Sequence, residues 1–143
     1  MGQLKPEIRN SKSETRVGKA RIELRDRDTR LYDLESRTLQ FAKDVRSFTR
    51  ALPRGLANDQ DIKQLVRASG SIGANYLEAN NAVSRRDFVL RAKISRKEAR
   101  ETVYWLQLVE CGSEARLEAT RESLVREATE LMKIFGAIVR KSE

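Results

Sequence analysis

The sequence predicts an all-α chain, an antiparallel up-and-down four-helix bundle. Four stretches carry apolar residues at alternating steps of three and four, and short polar links join them. Two prolines and seven glycines supply little of the turn punctuation that an all-β chain needs. Hydrophobic residues at 39% and charged residues at 35% suit a helical protein with much surface, and 143 residues suffice for one core. There is no internal repeat and no low-complexity segment.

Residues 1–18 are polar, lack periodicity and contain Pro6, which marks them as a disordered basic N-terminal arm or simply a soluble tail. The bundle domain then covers 19–143. Residues 19–30 are so densely charged that they fit either an extension of the first helix or a loop. That helix is expected at about 33–52, with Leu34, Thr38, Phe41, Val45, Phe48 and Leu52 as its seam. Pro53 and Gly55 end it. Asn58 is placed to cap a second helix at about 59–80, with Asp59 and Asp61 at its positive end.

The second helix organises the chain. Ile62, Leu65, Ser69, Ile72, Tyr76 and Ala79 share one face, interleaved with Ala68, Gly70, Ser71, Gly73 and Ala74. Each interior glycine costs roughly 1 kcal/mol relative to alanine, which close approach of a neighbouring helix can offset. Arg67, Asn75 and Glu78 form a polar feature beside this face. It reads either as a catalytic or ligand-binding cluster or as a structural polar cluster that fixes helix register.

Ser84 and Asp87 make a variant capping box for a third helix at about 85–110, which Gly112 follows. Leu117 lies in the connection to a fourth helix at about 119–141, with the seam Leu124, Ala128, Leu131, Phe135 and Ile138. The third helix has two apolar faces. Phe88, Ala92, Ala99, Thr102, Val103, Leu106 and Val109 are the core stripe, while Leu90, Ile94, Tyr104, Trp105 and Leu108 fall on roughly the opposite side. A monomeric bundle leaves the second set bare, so it is expected to be a homo-oligomer interface, unless a loop or the N-terminal segment covers it. On one flank Arg85, Lys93, Arg96 and Arg100 recur about once per turn with Arg86 adjacent, a ladder spaced to meet phosphates or a solvated face balanced by acids elsewhere.

The formal net charge of +8 favours polyanionic partners, RNA or DNA first. The chain has no histidine and a single cysteine, Cys111, which removes histidine-based acid–base chemistry, the nucleophilic triads and the usual zinc sites. No glycine-rich phosphate loop and no Glu-x-x-His pair is present. No enzyme activity, metal or cofactor is therefore expected. A lone cysteine, no membrane-length apolar run and no apolar signal core point to a cytoplasmic setting away from membranes.

At Arg67-Ala68-Ser69, Ser71-Ile72, Asn75 and Glu78 the chain resembles the bacterial four helix bundle proteins related to those encoded in intervening sequences of large-subunit ribosomal RNA genes. The resemblance runs from about Tyr32 to Lys141 and takes in Asp33-Leu34, Pro53, Arg91, Lys97, Glu98 and Ala99. Gly73 stands where many relatives have proline, and Ala79 where glycine is common. The resemblance implies a left-handed antiparallel bundle assembled into a ring, typically a pentamer. It also implies kinship with accessory proteins of diversity-generating retroelements, basic barrels that bind nucleic acid and a reverse transcriptase. The expected function is a non-enzymatic, oligomeric, nucleic-acid-binding accessory protein. The alternative is a scaffold ring whose basic face docks a protein partner.

Overall fold

The computed structural model describes the backbone of residues 16–143 and the side chains from residue 33 onward. The N-terminal arm expected over 1–18 lies, for residues 1–15, outside the described residues. The chain forms two compact units, 1–34 and 35–143. The first is helical from Arg16, so the charged stretch 19–30 is helix, and Leu34 at its end is buried. Over the described residues there are four helices and no strand: α1 (Arg16–Arg50), α2 (Leu56–Asn80), α3 (Arg85–Leu108) and α4 (Ala115–Ser142). This all-α arrangement is consistent with a four-helix bundle. None of these helices is long and apolar enough to cross a membrane.

In the unit 35–143 the core follows the helical seams. Thr38, Phe41, Val45, Phe48 and Leu52 are buried, as are Leu65, Ala68, Ser69, Ile72, Tyr76 and Ala79 of α2. From α3 come Ala92, Ala99, Thr102 and Leu106, and from α4 Leu124, Ala128, Leu131, Phe135 and Val139. Phe88, Val103, Ile62 and Ile138, expected in these seams, are only half-buried. Tyr76 meets Phe135 edge-on, with ring centroids 5.4 Å apart.

The small residues of α2 admit α1. A methyl group on Gly73 would lie 2.8 Å from Thr38 Oγ1, so the two backbones approach where only glycine fits. At Gly70 the space is filled by the end of the Arg46 side chain, whose Nη2 is 3.3 Å from the corresponding position. Arg37 Nε donates to Glu127 Oε2 at 2.6 Å and ties α1 to α4, while Asn80 Nδ2 donates to Glu35 Oε2 at 2.7 Å at the far end of α2.

The helix ends depart from the sequence expectation in three places. First, α2 begins at Leu56, and Asn58 is not its cap but a buried clamp inside the first turn. Its Nδ2 donates to Pro53 O at 2.8 Å and Glu110 O at 3.0 Å, and its Oδ1 accepts from Glu110 N at 2.8 Å. The amide thereby satisfies backbone groups left over where α1 and α3 end. Second, α4 begins at Ala115, which puts Leu117 in its first turn, buried rather than in a connection. Third, the end of α3 is closed by a guanidinium. Arg121 of α4, gripped by Glu118, donates from Nη1 to Leu106 O at 3.1 Å and also to Val109 O. Ser84 does cap α3, accepting from Asp87 N at 3.0 Å, and Gly112 takes the left-handed conformation at φ 69°.

Candidate nucleic-acid interface

Arg85, Lys93 and Arg96 of α3 lie along the side that faces α4. Arg85 Nε donates to Ser142 O at 2.8 Å, and Lys93 Nζ pairs with Glu143 Oε2 at 2.9 Å. Further along, Gly136 is buried, with the Arg96 side chain beside it. A methyl group on Gly136 would be 3.8 Å from Arg96 Cδ and 3.4 Å from Arg140 Nη1, so two arginines from different helices share that spot. Arg86, Arg96 and Arg100 make no ion pair with any described residue. Neither Arg96 nor Arg140 pairs with an acid among the described residues, which leaves a positive seam. At the start of α3 the seam opens into a groove of about 840 Å³, walled by Arg85, Arg86, Lys93, Val89, Leu90 and Glu143.

On the expected interface stripe, Leu90, Tyr104 and Leu108 are 54%, 58% and 44% exposed, whereas Ile94 and Trp105 are half-buried. Tyr104 and Trp105 pack edge-to-face with centroids 5.0 Å apart. Charges cross the middle of the stripe. Lys97 and Glu101 sit between Ile94 and Tyr104, and Glu101 accepts from Arg67 Nη2 at 3.0 Å. The bare apolar surface is therefore two patches flanking a salt-bridged bridge.

Arg67, Asn75 and Glu78 do not meet in one cluster. Arg67 reaches Glu101 and, at 3.5 Å, the buried Glu98. Asn75 donates to Ser71 O at 2.9 Å and accepts from Arg91 Nη1 at 3.1 Å. Glu78 is exposed, and its side chain makes no hydrogen bond or ion pair with a described residue. These separate ties, with Ser95 Oγ donating to Ile72 O at 2.9 Å, set the register of α3 against α2. Sequence reasoning missed the buried Glu98 and Ser95, although their spacing from Thr102 and Ala92 puts both beside the core stripe. Arg140 carried no sequence signal, since its place beside Arg96 depends on how α4 is rotated.

Among the described residues no group of three or more Cys, Asp or Glu is placed to hold a metal. Cys111 is buried, and burial pushes its thiol pKa up while the Arg121 guanidinium pulls it back less strongly.

By class this is a small all-α protein whose third helix carries arginines that no described acid pairs, beside a partly apolar outer face. The chain belongs to the 23S rRNA-intervening sequence protein family, whose model matches residues 32–137. It is also similar to a crystal structure from Bacteroides thetaiotaomicron, a protein of unknown function from the S23 ribosomal protein family. The two share 32% sequence identity with a TM-score of 0.63, over 77% of this chain and 97% of the other. A comparison with curated proteins finds no match.

Proposed function

We propose that the protein is a non-enzymatic accessory factor that binds the backbone of RNA or DNA as a homo-oligomeric ring of antiparallel bundles, a pentamer on the family resemblance, in the cytoplasm. The observation that carries this reading is the seam of Arg86, Arg96, Arg100 and Arg140, cations that no described acid neutralises. The family description supports a link to ribosomal RNA. The resemblance to retroelement accessory proteins makes a reverse transcriptase a reasonable protein partner for the ring. Leu90, Tyr104 and Leu108, the bare ends of the outer stripe, are the anchors for the neighbouring copy, with Ile94 and Trp105 behind them.

Binding of this kind touches phosphates and not base edges, so it is weakly sequence-selective and steep in salt. Fluorescence anisotropy with a short mixed-sequence single-stranded RNA, run from low to high salt, measures it. Replacing Arg96 and Arg100 by glutamine should lower the slope of log K against log salt by about 0.7 per lost phosphate contact. Size-exclusion with light scattering reports the ring, and Tyr104→Asp with Leu108→Asp should reduce it to monomers. A ring that ignores RNA and DNA at low salt ends the nucleic-acid reading and leaves the seam to a protein partner. A wild-type monomer ends the ring.

A further inference from the structure

The basic ladder of α3 is not filled evenly. Its first members are met by the end of α4: the Ser142 carbonyl takes Arg85 Nε, and the Glu143 carboxylate takes Lys93 Nζ. Arg96 and Arg100, further along, have no such partner. The Lys93–Glu143 pair stands in the open groove, with side chains 44% and 52% exposed. A pair so open to water contributes little and exchanges readily. A backbone phosphodiester presents two charged oxygens to Lys and Arg, as a carboxylate does, and Arg85 keeps its remaining N–H groups for it. Val89 gives the groove an apolar wall that a carboxylate does not need and that a sugar or base can cover.

We propose that this groove is a phosphate subsite for bound nucleic acid and that Glu143 is its resident stand-in. The carboxylate holds Lys93 where a backbone phosphate binds, and nucleic acid must displace it. The proposal rests on the nucleic-acid reading of the seam. Glu143 then lowers affinity for every backbone alike, and its removal frees one more cation for phosphate.

The test is RNA anisotropy at low salt with the full chain and four variants: Glu143→Gln, Lys93→Gln, the two combined, and Glu130→Gln. The last makes the same charge change at an exposed position of α4 that pairs with nothing described. Glu143→Gln should bind about two- to fivefold tighter than wild type, the range that an exposed ion pair supports. Glu130→Gln should stay near wild type, and the gain should vanish in the Lys93→Gln background. The proposal is overturned if Glu143→Gln matches wild type or Glu130→Gln, or if its gain survives without Lys93. Should wild type and all variants fail to bind at low salt, the nucleic-acid reading itself is lost and the subsite goes with it.

Discussion

The same substitution, glycine to alanine, should have opposite effects at two positions of α2 three residues apart. At Gly73 an added methyl would sit 2.8 Å from Thr38 Oγ1 and 3.1 Å from Thr38 Cβ, against an ordinary contact of about 3.4–4 Å. Thr38 cannot easily yield. It is buried, it is β-branched, and its hydroxyl donates to Glu35 O at 3.0 Å. Overpacking of this kind costs about 1–3 kcal/mol, while alanine returns up to about 1 kcal/mol of helix propensity. Gly73→Ala should therefore destabilise by about 1 kcal/mol. At Gly70 the methyl meets only the tip of Arg46, a flexible side chain that can move aside, so propensity wins and Gly70→Ala should stabilise by about 0.5–1 kcal/mol. Urea unfolding followed by circular dichroism, at one protein concentration for all variants, reads both signs. Adding Thr38→Ala should recover part of the Gly73→Ala loss, giving a favourable coupling in the double-mutant cycle. A Gly73→Ala protein as stable as Gly70→Ala, or a cycle with no coupling, would refute the close crossing of α1 and α2.

Asn58→Asp should cost about 2 kcal/mol in the same unfolding assay, because it replaces a donor facing Pro53 O and Glu110 O with a second acceptor while keeping the size. An unchanged midpoint would mean the clamp is dispensable. Tyr76 is buried with its hydroxyl unpaired among the described residues, so Tyr76→Phe should leave stability unchanged or raise it by up to about 1 kcal/mol; a clear loss would reveal a partner for that hydroxyl. Burial raises the pKa of both Tyr76 and Cys111, the nearby Asn80 amide offsetting only part of it for Tyr76. A raised folded-state pKa means that the folded state holds its proton longer. The contribution is whole below the unfolded values, about 8.5 for cysteine and about 10 for tyrosine, and is lost as pH climbs through the folded ones. Stability should thus decline above about pH 9, less steeply in Tyr76→Phe with Cys111→Ala. Native Cys111 should also react slowly with iodoacetamide and quickly once unfolded; rapid native labelling would contradict its burial.

Much of the architecture was legible because helix formation and burial pattern are local properties. Phe41, Val45 and Phe48 are spaced so that any helix through them has one apolar stripe, and that stripe is buried. The small residues of α2 foretold a close neighbour, and Ser84 with Asp87 foretold the start of α3. The family followed from residues 67–78, whose spacing survives in any register. Other features could not be read this way. Asn58 looks like a cap in sequence, yet the nearest unmet backbone groups belong to Pro53 and Glu110. Arg67, Asn75 and Glu78 look like a cluster, yet α3 offers Glu101 to the first, Arg91 to the second and nothing to the third.

The sequence by itself determined that four stretches are helical, most of the face that each buries and how much net positive charge the chain carries. Only the tertiary structure decided which charges stand alone. Periodicity places a side chain on a face of its own helix, but the rotation and register of neighbouring helices choose its partner. Those set Arg140 beside Arg96 over Gly136, and Glu143 against Lys93.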